Sequence, residues 1–106
     1  MKDKSLGDIC YCSATGEISV GAEAIKLPKK EKQLLVYLLQ HPDTVHTKEH
    51  LIREVWGYDS LGTSSTLTVH VNRLRKKLEL DPSCPEIIET VHGKGYRIRR
   101  SRVKIQ

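Results

Sequence analysis

One stretch of the sequence, from Thr63 to Lys77, constrains the fold more than any other. Its apolar residues recur with the 3.6-residue period of an α-helix, and together with the next leucine they are Leu67, Val71, Leu74 and Leu78. The opposite side of this helix is polar and basic, and it carries Ser65, Val69, Asn72, Arg73 and Lys76, with Thr68 and Arg75 at its edges. The stretch contains no Asp or Glu. One face of the helix must therefore be buried, and the other is predicted to be exposed.

The exposed face has the chemistry of a surface that reads DNA. Arginine and asparagine carry planar donor and acceptor groups that match base edges, and the major groove is wide enough to admit one helix. Arg73 and Asn72 both lie on this face. Trp56 and Tyr96, by contrast, are expected to pack in the core rather than stack on bases. The stretch is therefore predicted to be a DNA-reading helix.

The positive charge of the chain is concentrated in two segments. The net charge is +5, yet residues 63–77 contribute +4 and residues 92–106 contribute +6, so the rest of the chain carries −5. Positive charge confined to two segments of an otherwise acidic chain is the pattern expected of a surface that binds a polyanion. The alternative interpretation is that both segments are solvated basic faces without a partner.

Length and composition argue against several classes of protein. A chain of 106 residues is expected to form one domain with a single core. No apolar run approaches the roughly 18 residues of a membrane span, and the N-terminus lacks the apolar segment of a secretory signal. A cytoplasmic protein without membrane contact is expected. Because the sequence has neither a phosphate-cradling glycine loop nor a nucleophile with an evident base, we expect no catalysis and no cofactor.

The remaining elements follow from periodicity and from turn residues. Three short runs between residues 9 and 27, ICYC, EISV and EAIKL, predict an antiparallel meander. Helices are predicted for Lys29–Gln40, for Lys48 to about Trp56 with Thr47 as N-cap, and for the basic stretch as far as about Leu80. The runs EIIETV and YRIRR, joined by residues 92–95, predict a β-hairpin. This order predicts an α+β fold that contains a helix-turn-helix followed by a hairpin.

Histidine and cysteine do not form a convincing metal site in the sequence. His46 and His50, four residues apart, could be metal ligands on one helical face, but a third ligand at suitable spacing is missing. Cys10 and Cys12 share a strand face, and Cys84 lies in a distant loop, which is a poor zinc pattern. Reduced thiols and no bound metal are expected.

Four segments of the chain resemble a known family when they are taken together. They are LPKKEKQLLVYLLQHP, KEHLIREVWGYD, STLTVHVNRLRKKLE and IIETVHGKGYRI, and they stand in this order between Leu27 and Arg100. The combination is similar to the winged-helix effector domain of OmpR/PhoB-type response regulators. The resemblance implies a winged helix-turn-helix with a four-stranded N-terminal antiparallel β-sheet, a three-helix bundle and a C-terminal β-hairpin wing. It also implies sequence-specific binding of double-stranded DNA that controls transcription in a two-component system.

The resemblance assigns roles to individual positions, with Arg73 where these domains commonly place a base-reading arginine. The candidate DNA contacts on the third helix are Ser65, Thr66, Thr68, Val69, His70, Asn72, Arg73, Arg75, Lys76 and Lys77. The candidate contacts on the wing are Thr90, His92, Gly93, Lys94 and Arg97. Phosphate contacts are assigned to Lys76, Lys77, Lys94 and the basic C-terminal tail. The loop formed by Gly57, Tyr58, Asp59, Ser60, Leu61, Gly62 and Thr63 matches a segment that touches RNA polymerase in some relatives.

Three positions depart from the pattern of the family. Ser65 stands where many relatives have a phosphate-binding arginine, and His92 stands where many have the wing arginine that enters the minor groove. Lys32 stands where many have a buried aromatic residue. Because a neutral histidine is attracted to a narrow minor groove less than arginine is, we expect the wing of this chain to bind more weakly or with a dependence on pH.

The resemblance also implies partners outside this sequence. A receiver domain usually precedes the effector domain, so residues 1–7 are interpreted as a linker remnant or disordered tail, 8–100 as the winged-helix domain and 101–106 as the basic tail. The chain is either part of a longer regulator or a small separate DNA binder. An upstream sensor kinase, a monomer in isolation and a head-to-tail dimer on tandem direct repeats are expected. The alternative function is a protein-interaction module whose loop 57–63 docks RNA polymerase or another regulator.

Overall fold

The computed structural model describes residues 9–21, 23–57, 62–79 and 81–105. The strands are β1 (Ile9–Cys12), β2 (Glu17–Val20), β3 (Glu23–Ile25), β4 (His46–Thr47), β5 (Ile88–Val91), β6 (Gly95–Ile98) and β7 (Val103–Ile105). The helices are α1 (Lys29–Gln40), α2 (Lys48–Trp56) and α3 (Ser64–Leu78), and Arg100–Arg102 form a 3₁₀ turn. The three predicted helices and the hairpin are therefore confirmed.

The first two helices begin and end where the sequence predicts. α1 follows Pro28, whose φ of −56° suits the start of a helix, and ends at Gln40. The hydroxyl of Thr47 accepts a hydrogen bond from the backbone N–H of His50 at 3.1 Å, so the predicted N-cap of α2 is confirmed. The face of α1 that holds it in the core consists of Leu34, Leu35, Leu38 and Leu39.

The third helix has the two faces that its sequence predicts. Its apolar stripe has no exposed surface and comprises Leu67, Val71, Leu74 and Leu78. The hydroxyl of Thr63 caps the N-terminus by accepting the N–H of Thr66 at 3.1 Å. The helix ends at Leu78, short of the predicted end near Leu80, because Glu79 adopts an extended conformation and its carboxylate accepts backbone N–H groups of residues 86–88.

The N-terminal sheet has the strand order β3-β2-β1-β7. The meander supplies three antiparallel strands, as predicted. The fourth strand comes from the other end of the chain, and it runs parallel to β1 with Val103 opposite Ile9. The four-stranded sheet and its antiparallel meander are therefore confirmed, and the parallel pairing of β7 is an addition that was not predicted from the sequence. Residues 103–105 gave no local signal for this strand, because its partner lies at the opposite terminus.

A second sheet, of order β4-β6-β5, joins the hairpin to the helices. β5 and β6 pair antiparallel, with Ile88 opposite Ile98, which confirms the predicted hairpin. β4 pairs with β6, where Thr47 lies opposite Gly95. This contact requires glycine, because a Cβ at position 95 would overlap the backbone carbonyl of His46. The wing, defined as β5, β6 and the turn between them, is thereby held against the residues that lead into α2.

One core lies between the helices and the two sheets. Trp56 and Tyr96 belong to it with 7% and 5% of their surfaces exposed, which confirms them as core anchors. Lys32 is exposed, so the position where many relatives have a buried aromatic lies on the surface here. None of the helices in the described ranges is long and apolar enough to cross a membrane.

Candidate nucleic-acid interface

The outer face of α3 is an open surface that consists of Ser65, Thr68, Val69, Asn72, Arg73 and Lys76. Val69 is the one large apolar side chain among the described residues that is exposed, with 43% of its surface accessible. Among the described residues, no hydrogen bond or ion pair engages the side chains of Asn72, Arg73 or Lys76. These three side chains are therefore available to an external ligand.

Three predicted contact residues near the start of α3, Thr66, Thr68 and His70, make local side-chain hydrogen bonds. The hydroxyl of Thr68 donates to the carbonyl oxygen of Ser64 at 3.0 Å. The Nδ1–H of His70 donates to the carbonyl oxygen of Thr66 at 2.8 Å, which fixes the tautomer because a carbonyl can only accept. The rings of His70 and Trp56 also lie perpendicular to each other, with 5.0 Å between ring centroids. The hydroxyl of Thr66 lies 3.0 Å from that of Thr63. His70 and Thr66 thus support the local structure of the helix and its contact with α2.

Arg75 is bound to the wing. Its Nε–H and Nη2–H groups donate to the carbonyl oxygen of Ile88 at 3.2 and 2.9 Å, and Nη2 also donates to the hydroxyl of Thr90 at 2.7 Å. The guanidinium carbon lies 5.7 Å from the centre of the Tyr96 ring, within the range of a cation–π contact. The predicted DNA contacts Arg75 and Thr90 are therefore brought together, but they contact each other.

Lys77 is bound to the first helix. Its Nζ lies 3.0 Å from a carboxylate oxygen of Glu31, which is only 2% exposed. A buried carboxylate without a partner is costly, so this ammonium group stabilises the packing of α1 against α3. The adjacent Lys76 has no such partner in the described part of the chain. The two lysines therefore have different roles, although both were expected to bind phosphates.

The turn of the wing is exposed. His92, Gly93 and Lys94 all face solvent, and the N–H of Lys94 donates to the carbonyl of Val91 at 2.9 Å to close the turn. Gly93 has a φ of +74°, which favours glycine, and space is open around it. The side chain of Lys94 is free of hydrogen bonds within the described residues. The predicted tip of the wing therefore presents the ammonium group of Lys94 and the imidazole of His92.

Two of the four arginines in the second basic segment are paired within the domain. Arg97 and Arg99 donate to the two carboxylate oxygens of Glu89, at 2.9 and 2.6 Å. Partial burial opposes the charged form of Glu89, but the hydrogen bonds from Arg99 and Arg97 outweigh it and hold the pKa of this carboxyl below its usual value. Lys104 lies in β7, opposite Cys10 of β1. The charge count therefore overstates what this segment can offer to a polyanion, and the tail assigned to phosphates contains a strand of the N-terminal sheet.

A cleft of about 300 Å³ separates the start of α2 from the turn of the wing. Lys48 and Glu49 line one side, and residues 90–95 line the other. Lys48 is exposed and is absent from the residues predicted for the interface. The sequence feature that could have identified Lys48 is its position directly after the N-cap Thr47, because the backbone N–H groups at the start of a helix also attract anions.

The loop assigned to polymerase contact is described at its two ends. The N–H of Gly57 donates to the carbonyl of Arg53 at 2.9 Å and closes α2. Gly62 packs against the side chain of Trp56, and Thr63 caps α3. The other members of the predicted loop, Tyr58, Asp59, Ser60 and Leu61, lie outside the described residues.

Three of the five histidines, His41, His46 and His50, form a ring cluster with Tyr37. His46 and His50 stack with parallel rings 5.9 Å apart, and the hydroxyl of Tyr37 lies 2.6 Å from Nε2 of His50. Within the described ranges, no group of three or more His, Cys, Asp or Glu residues is placed to hold a metal ion. Cys10 and Cys12 are half-buried free thiols.

The chain is similar to transcriptional regulators in sequence and in structure. Residues 21–98 match the family described as "Transcriptional regulatory protein, C terminal". YvrH of Bacillus subtilis, a transcriptional regulatory protein, is 47% identical over 87 residues, which are 82% of this chain and 37% of YvrH. The chain therefore spans little more than a third of that relative.

Solved structures show the same fold. The Thermotoga maritima response regulator DrrB, an OmpR/PhoB homologue, superposes with a TM-score of 0.79 at 28% identity, over 90% of this chain and 43% of DrrB. The DNA-binding domain of Klebsiella pneumoniae RstA, solved in complex with the RstA box, superposes with a TM-score of 0.76 at 26% identity. That comparison covers 90% of this chain and 94% of the RstA domain.

Proposed function

The chain belongs to the family of transcriptional regulatory protein C-terminal domains, and we propose that it recognises a specific double-stranded DNA sequence by placing α3 in the major groove. DNA binding in the regulation of transcription is the function of this domain type. The family is not a class of enzymes. The observation that carries the proposal is the outer face of α3, where Asn72, Arg73 and Lys76 are exposed without partners among the described residues while the opposite face is fully buried.

Base recognition is assigned to the middle of this face. Arg73 donates two hydrogen bonds to a guanine, and Asn72 has the matching groups for an adenine. The exposed methyl groups of Val69 are suited to contact the methyl group of thymine. Ser65 and Thr68, on the same face, are short enough to let the helix approach the bases or phosphates closely.

Phosphate binding is assigned to the cations that the fold leaves free. Lys76 lies at the C-terminal half of α3, and Lys94 and Lys48 lie on opposite sides of the cleft between the wing and α2. A DNA phosphate in this cleft would meet both ammonium groups and the N-terminus of α2. His92 and Gly93 then lie beside the DNA backbone or the minor groove.

The domain acts as the effector of a response regulator whose receiver domain is controlled by a sensor kinase. Two copies bind tandem direct repeats head to tail, about one helical turn apart, because each half-site is read by one α3. By the resemblance to the family, the loop between α2 and α3 contacts RNA polymerase. Gly57 closes α2 at one end of this loop, and Thr63 caps α3 at the other.

Selection from a random duplex pool tests the proposal. Enriched duplexes should contain a tandem repeat, and the chain should bind the best of them at least tenfold more tightly than scrambled DNA. Arg73→Ala should then remove the preference at one or two base positions, at a cost of about 1–3 kcal/mol. Equal affinity for both duplexes would overturn sequence recognition. No binding at all would favour the alternative, a protein-interaction module.

A further inference from the structure

We infer that Arg75 is a positioning residue, which fixes the wing relative to α3 and so determines where the wing meets DNA. This inference rests on the proposed function, because it concerns how the two DNA-binding elements are held together. It assigns Arg75 a different role from its exposed neighbours Arg73 and Lys76. Those side chains face outward, whereas the guanidinium group of Arg75 is directed at the wing.

The wing strand that Arg75 contacts lies at the edge of its sheet. β5 pairs only with β6 in the order β4-β6-β5, so the outward backbone groups of β5 have no strand partner within the described part of the chain. Edge groups of this kind must be satisfied by side chains or by water. At Ile88, which is fully buried, residues 75 and 79 supply the partners for both backbone groups.

Two residues one helical turn apart, one in α3 and one at its C-cap, hold Ile88. The carboxylate of Glu79 accepts the N–H of Ile88 at 2.8 Å, and the guanidinium group of Arg75 donates to its carbonyl oxygen at 2.9 and 3.2 Å. Residues at i and i+4 lie on the same side of a helix, so Arg75 and Glu79 act together on the base of the wing. The end of α3 thus occupies the place of a missing neighbouring strand.

The third hydrogen bond of Arg75 sets the direction of the strand. Nη2 reaches the hydroxyl of Thr90, two residues further along β5, while the Tyr96 ring of β6 lies beside the guanidinium group. Because Arg75 contacts β5 at two residues, Ile88 and Thr90, it fixes the orientation of the strand as well as its position. The turn with His92 and Lys94 follows directly, so its position relative to α3 depends on this orientation. Lysine cannot replace these contacts, because its ammonium group lacks the planar fork.

A double-mutant cycle between Arg75→Lys and Lys94→Ala tests the inference. Arg75→Lys keeps the charge and removes the forked contact. With Arg75 unaltered, we expect Lys94→Ala to weaken DNA binding severalfold and to make the log–log salt slope shallower by about 0.9. In the Arg75→Lys background, Lys94→Ala should change affinity by less than twofold, because the wing no longer meets the DNA backbone in register.

Equal effects of Lys94→Ala in both backgrounds would overturn the inference. The inference would also be overturned if Arg75→Ala made the salt slope of DNA binding shallower by about 0.9 while Arg75→Lys bound DNA normally. That result would identify Arg75 as a phosphate contact.

Hydrogen exchange of the free protein gives a second readout that does not depend on DNA. Arg75→Lys should speed exchange of the wing amides at least tenfold and leave those of α1 unchanged. Arg73→Lys is the matched control, since it makes the same substitution on the outer face and should leave the wing amides as they are. If Arg75→Lys does not fold, Thr90→Val removes one hydrogen bond and should give a smaller acceleration. Unchanged wing exchange in the folded variants would overturn the inference. A chain that binds no DNA but shows the predicted exchange would refute only the proposed function.

Discussion

Lys76 and Lys77 are adjacent in the sequence, but their amino groups have different surroundings. The Lys77 ammonium neutralises Glu31, which is buried at 2% exposure, whereas Lys76 has no ion pair within the described residues. The periodicity of α3 cannot distinguish them, because the partner of Lys77 lies on α1. The same is true of Arg75, whose partners lie on β5.

Alanine substitution should separate the two lysines. Lys77→Ala should lower the free energy of unfolding by about 1–3 kcal/mol, because the buried carboxylate of Glu31 loses its partner. The cost stays below that of breaking a fully buried ion pair, because water reaches the Lys77 side of the site. Lys76→Ala should change stability by less than about 0.5 kcal/mol and make the salt slope of DNA binding shallower by about 0.9. Urea unfolding and DNA titration at several salt concentrations measure both. If Lys77→Ala is as stable as the unaltered chain and has a shallower salt slope of DNA binding, Lys77 contacts a DNA phosphate rather than stabilising the fold.

His46 makes the stability of the fold depend on pH. Burial lowers the pKa of its imidazole, the hydrogen bond to the His41 carbonyl opposes that effect, and nearby His41 and His50 add to the lowering. In the unfolded chain a histidine titrates at about pH 6.5. Below that pH the unfolded state binds the proton more readily than the folded state does, so this contribution to stability is complete above about pH 6.5 and decreases as the pH falls.

Unfolding at a series of pH values tests the role of His46. Between about pH 7.5 and 5.5, the free energy of unfolding should fall, by no more than about 1.4 kcal/mol per pH unit for one proton. His46→Gln should reduce this dependence, although its stability at high pH is also expected to differ. His92→Gln, a substitution on the exposed wing turn, should leave the dependence intact. An unaltered pH profile in His46→Gln would assign the effect to another group.

At the scale of secondary-structure elements, local and non-local signals explain what the sequence could predict. α1, α2 and α3 were predicted closely because apolar periodicity, Pro28 and the N-caps Thr47 and Thr63 are all local features. β7 was missed because its three residues pair with the opposite end of the chain. The outer face of α3 was predictable for the same reason as the helix. The internal partners of the basic side chains were not, since each depends on tertiary packing.

The two glycines of the wing, Gly93 and Gly95, should differ in how much an alanine substitution destabilises the fold. Gly93→Ala meets open space but must adopt a left-handed conformation, which should cost about 1–2 kcal/mol. Gly95→Ala should cost more, because its Cβ would collide with the backbone of His46 and separate β4 from β6. Thermal unfolding gives the ranking, and exchange of the β6 amides reports the separation. Equal stability of the two variants would show that β4 can move away without loss.

Across the whole domain, basic side chains that pair with other groups of the domain reduce the positive charge available to DNA. The two basic segments contain ten Lys and Arg residues. Arg75 contacts the wing, Lys77 contacts Glu31, and Arg97 and Arg99 share Glu89. Among the described residues, the unpaired cations around α3 and the cleft are then Lys48, Lys76 and Lys94, with Arg73 reserved for a base. Arg100 and Lys104 are also exposed, but they lie in the 3₁₀ turn and in β7 rather than in α3 or the cleft. The domain is expected to bind DNA with far fewer phosphate contacts than its composition indicates.

Salt dependence measures this number directly. Each neutralised phosphate contributes about −0.9 to the slope of log K against log salt, so three lysines predict about −3 for one domain on one half-site, whereas ten contacts would give about −9. Fluorescence anisotropy with a single half-site duplex gives the slope. Lys48→Ala combined with Lys94→Ala should bring it to about −1, since only Lys76 then remains. A duplex with two direct repeats should double the slope for the complete complex. A slope of about −9 on one half-site would mean that the paired arginines leave their carboxylate and carbonyl partners to bind DNA, and the assignment of Arg75 to the wing would then also be wrong.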